Sequence, residues 1–102
     1  MTVVLITAQA QEEYQRLSPP MMARVLDVFE QLRAWPNVSG VKWLRYDWAG
    51  HARKRTGDWR VIFKIQKVEA KTSARKGAKK FENQVLIVKI DNRRDAYEGD
   101  PQ

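Results

Sequence analysis

Basic residues crowd one short stretch, GHARKRTGDWRVIFKI (50–65), and a second cluster, NRRDAY (92–97), follows towards the C-terminal end. Side chains two residues apart on a strand point the same way, so His51, Arg53 and Arg55 share one face if HARKR is extended. A turn at Thr56 to Asp58 that returns the chain antiparallel brings Arg60 near that row, and Arg93, Arg94 and Tyr97 can join it from the later cluster. Guanidinium groups gathered on a concave face are suited to a polyanion.

The charge distribution supports the same chemistry. The chain carries 19 Lys and Arg against 12 Asp and Glu, a net charge of +7. Sixteen of those basic residues fall between positions 42 and 94 against five carboxylates, a balance of +11, whereas residues 1–41 balance at −1 and the tail from Asp95 at −3. A half-molecule this basic points to RNA or DNA; the plainer alternative is a solvated basic face.

The elements that must position these groups can be read from the pattern. TVVLIT is a β-branched run that predicts a first strand, after which Thr7 can cap a helix over Ala8 to Leu17 with Ala10, Tyr14 and Leu17 on one side. Ser18 with Pro19 at the first helical position predicts a second helix, its stripe formed by Met22, Val25, Leu26, Phe29 and Leu32 and its end at Trp35-Pro36. VKWLRYDW reads as an extended approach to the sheet, HARKR as a strand and TGD as a turn. WRVIFKIQKV is a strand with Trp59, Val61, Phe63 and Ile65 on the core face and Arg60, Ile62 and Lys64 on the other. EAKTSARKGAKKFEN reads as an extended basic loop and QVLIVKI as the last strand. The fold class expected is α+β, in the order β-α-α-β-β-β, with two N-terminal helices packed on one face of a mainly antiparallel sheet.

At 102 residues and 43% hydrophobic content the chain is expected to form a single domain over 1–102. Without cysteine there is no disulfide framework, thiolate metal site or Cys nucleophile. Asp47, Asp58 and Asp91 are scattered, so no metal site and no cofactor is expected. No apolar run reaches the length of a membrane span, and the N-terminal run has neither a basic flank nor a cleavage site, so a cytoplasmic protein is expected. Trp43, Trp48 and Trp59 read as core or rim packing, with Trp48 the least buried.

GHARKRTGDWRVIFKI followed by VLIVKIDNRRDAY resembles the RelE/ParE superfamily of bacterial toxins, whose pattern runs G-x-x-R-x-R-x-G-x-[YW]-R-[VL]-[IV]-[YF] and later H-R-x-x-x-Y. The likeness spans essentially the whole chain, VKWLR matching the family's VKKLK. It implies a toxin neutralised by a cognate antitoxin protein. RelE-like members cleave mRNA in the ribosomal A site; ParE-like members poison DNA gyrase. The RelE-like branch is preferred here, because a gyrase inhibitor would not require a phosphate-binding set with a tyrosine; a non-catalytic RNA-binding or ribosome-binding module is the third possibility.

Carried over residue by residue, the resemblance implies catalytic positions at Arg53, Arg55, Arg60, Arg93 and Tyr97. Cleavage by the RNA's own 2′-hydroxyl needs no protein nucleophile, only in-line positioning, charge stabilisation and two proton transfers. Arg60 and Arg93 would then hold the scissile phosphate through bidentate forks. Arginine holds its proton too tightly to act as a carrier, which makes Arg53 and Arg55 charge stabilisers and Tyr97 the best base. Asn92 stands where many members have histidine, so a proton carrier from that position is missing. In the basic loop, Lys71, Arg75, Lys76, Lys79 and Lys80 are suited to clamp RNA phosphates. The partners expected are the antitoxin, the ribosome and mRNA, with no membrane.

Overall fold

A computed structural model of the protein describes residues 2–70 and 80–92. Strand β1 (Val3–Ile6) leads directly into helix α1 (Ala8–Gln15). Thr7 sits between them in an extended conformation, and its hydroxyl accepts a hydrogen bond from the Ala10 amide at 3.2 Å, as the N-cap pattern predicts. Helix α2 (Pro19–Leu32) starts differently. Ser18 occupies the N-cap position but makes no side-chain cap bond; prolines at the first two helical positions leave two fewer amides to satisfy.

Strands β2 (Val41–Trp43), β3 (His51–Thr56), β4 (Trp59–Ala70) and β5 (Lys80–Asn92) complete a five-stranded sheet in the order β1-β5-β4-β3-β2. Among the described residues only the β1–β5 pair is parallel. The architecture is the expected α+β arrangement of two helices on a mainly antiparallel sheet, with one short strand more. VKWLRYDW is not simply extended: it supplies β2 and then a 3-10 turn at Tyr46–Trp48. The expected loop over 69–83 is also shorter, because its ends belong to β4 and β5, with Glu69 opposite Phe81 and Ala70 opposite Lys80. The backbone ladder runs on to the Ala70–Lys80 pair, so the poverty of apolar residues that suggested a loop did not prevent it.

The core lies between the helices and the sheet. Ala10, Leu17, Val25, Val28 and Leu32 from the helices meet Ala52, Val61, Phe63, Val85, Ile87 and Ile90 from the strands. The stripe of α2 is rotated from the one expected: Val28 is buried and Leu26 is 49% exposed. At about 100° per residue, Leu26 lies round the helix from Val25 on the side away from Val28 and Leu32, so it misses the sheet.

Two backbone details set the opposite face. β3 and β4 are joined by a two-residue loop, Gly57-Asp58, with Gly57 at φ +62, a conformation that favours glycine in tight hairpins. β5 carries a bulge: Ile62 pairs with Lys89 but Phe63 with Ile87, which leaves Val88 as the extra residue. The bulge shifts the alternation by one residue. Val85 and Ile87 face the helices, and so does Ile90, three positions further on.

Candidate nucleic-acid interface

On the sheet face away from the helices the register arranges side chains in rows. Arg55 lies opposite Arg60, which lies opposite Asp91. The next row runs Lys42, Arg53, Ile62 and Lys89, and the one after it places His51 opposite Lys64 and Lys64 opposite Leu86. The alternation expected for HARKR and WRVIFKI holds, and it gathers His51, Arg53, Arg55 and Arg60 on one face. Lys54 is turned away, its ammonium donating to the Ser39 carbonyl at 2.6 Å.

This face buries charge. Arg60 is 2% exposed, Arg53 8% and Asp91 9%. The Arg60 guanidinium grips Asp91 through two bonds, Nε to Oδ1 at 3.1 Å and Nη2 to Oδ2 at 3.3 Å. Side-by-side contacts of this kind are the strong form of an arginine–carboxylate pair. Burial pushes the Asp91 carboxyl above its ordinary value of 3.8; the hydrogen bond and charge of Arg60, and then the charge of Lys89, pull it back, while Glu13 adds to the rise. Arg55 differs from its neighbour. Its Nε is enclosed and has no hydrogen-bond acceptor among the described residues.

The surroundings tie this face to the rest of the fold. Lys89 reaches the Glu13 carboxylate of α1 at 3.4 Å, and the other Glu13 oxygen accepts the Ile90 amide at 2.9 Å. Beyond Ile6, where β1 ends, α1 therefore satisfies the edge of β5 that β1 no longer covers. The His51 ring meets Trp48 edge-on at 5.4 Å between centroids, with Nδ1 at 3.4 Å from the Ala49 carbonyl oxygen. Trp48 is thus half-buried, and Trp43, at 53%, is the more exposed tryptophan, its ring edge-on to Trp35.

Of the expected site residues, Arg53, Arg55 and Arg60 come together on this face. The fork of Arg60, however, is closed on a carboxylate in the resting protein. Lys80 opens β5 opposite Ala70. Arg93 and Tyr97, and the loop residues Lys71, Arg75, Lys76 and Lys79, lie outside the described residues. The register adds one residue that the sequence did not single out for the site: because of the bulge, Asp91 faces the arginines, whereas Asn92 pairs with Trp59 on the helix side. A histidine at position 92 would start from the wrong face of the strand. Strict alternation read back from the buried Val85 and Ile87 hides this, since it would have put Asp91 on the core face.

Among the described residues there is no group of three or more metal-ligating side chains, and no helix is long and apolar enough to cross a membrane. A cleft of about 590 Å³ opens elsewhere, along β1 and α2, lined by residues that include Ile6, Phe29, Glu30 and Arg33. None of the arginine row lines it.

No family model matches the sequence, and no curated protein sequence does either. The structure is similar to a chain in the crystal structure of the RelBE2 toxin-antitoxin complex from Mycobacterium tuberculosis, with a TM-score of 0.67 and 24% sequence identity over 90% of this chain and 98% of that one. The two share a fold.

Proposed function

We propose that this chain is the toxin of a toxin-antitoxin pair and acts in the cytoplasm as a ribosome-dependent endoribonuclease. The observation that carries the reading is the set of arginines on the helix-free face of a fold shared with a chain of a toxin-antitoxin complex. In this reading the mRNA's 2′-hydroxyl attacks the adjacent phosphate in line, the P–O5′ bond breaks to leave a 2′,3′-cyclic phosphate, and the departing 5′-oxygen takes a proton from water. Arg53, Arg55 and Arg93 stabilise the charge that develops on the phosphorane oxygens, and Tyr97 accepts the 2′-hydroxyl proton. Lys71, Arg75, Lys76, Lys79 and Lys80 hold ribosomal RNA, and a cognate antitoxin covers the basic face by charge complementarity.

Mapping mRNA ends on purified translating ribosomes, with and without the protein, tests the proposal. New ends within codons at the A site are expected, together with an unaltered result in a parallel gyrase supercoiling assay. Inhibited supercoiling with intact mRNA would replace the nuclease by a gyrase poison. One observation favours a second reading, an RNA-binding module without chemistry: the Arg60 fork is already closed on Asp91. Ribosome binding without new mRNA ends would select it.

A further inference from the structure

The Arg55–Arg60–Asp91 row holds two guanidinium groups and one carboxylate. Arg55 and Arg60 are direct cross-strand partners, a placement that costs stability when both are charged. Asp91 lies on the far side of Arg60 and grips that residue, not Arg55, through both oxygens. The row therefore keeps one positive charge in surplus, matching the single negative charge of a phosphodiester. Arg60, at 2% exposure, cannot turn its fork to a phosphate without stranding a buried carboxylate beside it. Arg55 is less buried and bears an enclosed Nε with no acceptor among the described residues.

We propose that Asp91 serves as an internal anion that withholds Arg60 from the substrate, so that the phosphate of an incoming RNA strand is taken by Arg55 and Arg60 is a positioning residue. The assignment rests on the reading of this face as an RNA surface and deepens it. Two strand spacings, roughly 9–10 Å, separate the Arg55 and Asp91 positions. Arg60 stands between the two anions, and its charge offsets their repulsion. Asp91 thus tunes the face by subtraction: it lowers phosphate affinity at Arg60 and leaves one guanidinium to do the binding.

Arginine Nε–H resonances report each guanidinium separately, so the test is a titration of the intact protein with inorganic phosphate and with a short oligouridylate, followed by NMR. In the wild-type protein the Arg55 signal is expected to move with both ligands while the Arg60 signal stays in place. Asp91→Asn should bring the Arg60 signal into the titration, raise RNA affinity and steepen the salt dependence by about 0.7 in log–log slope, the increment for one further phosphate neutralised on a single strand. A purely structural Asp91 would do the reverse, lowering affinity when replaced. Should Asp91→Asn fail to fold, Arg60→Met with Asp91→Leu removes the pair without leaving a charge, and affinity should stay within about twofold because the net charge of the row is unchanged. Arg55 and Arg60 moving together in the wild type would overturn the assignment and leave the RNA surface standing. No response of either arginine to the oligouridylate would overturn both.

Discussion

The two faces of one sheet are buried by different physics. On the helix side Val61, Phe63, Val85, Ile87 and Ile90 are enclosed with nothing polar to satisfy, and each such side chain contributes about 1.5–3 kcal/mol by leaving water. On the other side Arg53, Arg60 and Asp91 are almost as deeply enclosed. There the desolvation of each charge costs several kcal/mol, which for Arg60 and Asp91 their ion pair roughly offsets. The first face holds the fold together. On the second, Ile62 at 1% exposure adds apolar burial of its own, while the Arg60–Asp91 pair adds little net stability and keeps a charged row in place, a use of burial that makes sense where a ligand needs fixed guanidinium groups. The hairpin of β3 and β4 belongs to both faces, which is how a segment so basic also builds the core.

The largest effects should separate the faces. Phe63→Ala is expected to cost about 3–5 kcal/mol in urea unfolding and to leave the RNA affinity of the folded protein unchanged. Asp91→Ala should cost a similar amount, about 3–5 kcal/mol, because it removes both oxygens that accept from the buried Arg60 guanidinium, which protonation of the carboxyl would not do. The contrast lies in repair. Arg60→Met with Asp91→Leu should recover most of that loss or exceed the wild type by about 1–4 kcal/mol, whereas no removal of apolar volume opposite Phe63 can restore Phe63→Ala. If the double variant is as unstable as Phe63→Ala, the pair supports the fold as the core does and the distinction between the faces fails.

A smaller effect follows from pH. Burial raises the Asp91 carboxyl above 3.8, so between that value and its folded pKa the native state holds a proton that the unfolded chain has released. The contribution of Asp91 to stability is therefore complete below 3.8 and lost as pH rises through the folded pKa. Urea unfolding of the wild type and of the Arg60→Met, Asp91→Leu variant, from about pH 3 to pH 7, isolates it, because the other carboxylates and His51 are common to both. The stability of the wild type relative to the variant should fall with rising pH. A relative stability that climbs instead would mean that the attraction of Arg60 outweighs burial.

The helix-side face was largely legible in the sequence. Ala10, Leu17, Val25 and Leu32 follow the helical period, and Val61 and Phe63 follow strict alternation, so periodicity alone assigns them to the core. Leu26 was misassigned because the width of an apolar stripe does not say where its centre meets the sheet. The arginine face was legible on β3 and β4, where a two-residue glycine turn fixes the register, and illegible on β5. A single bulged residue at Val88 moves Asp91 to the arginines and Asn92 away from them, and nothing in QVLIVKIDN marks that slip. The buried ion pair, the most informative feature of the candidate site, depends on it.

The smallest expected effect bears most directly on the alternation that divides the hairpin. Lys54 and Arg55 are adjacent, both basic and neither fully buried, so net charge alone predicts equal losses of RNA affinity from Lys54→Met and Arg55→Met. The register predicts unequal ones. Lys54 lies opposite Val61 and donates to the Ser39 carbonyl, on the side of the sheet where the helices pack, while Arg55 lies opposite Arg60. Removing the Lys54 charge should change RNA affinity less than about twofold through distant, screened attraction, and the loss of one exposed hydrogen bond should cost no more than about 0.5–1.5 kcal/mol of stability. Arg55→Met should lower affinity by about tenfold or more, flatten the salt dependence by about 0.7 in log–log slope, and relieve the like-charge contact with Arg60, leaving stability unchanged or slightly higher. Binding isotherms at two salt concentrations, read beside unfolding curves, give all four numbers. Equal affinity losses from the two variants would mean that RNA senses the charge of the hairpin as a whole, and the division of the sheet into a structural and a binding face would not survive.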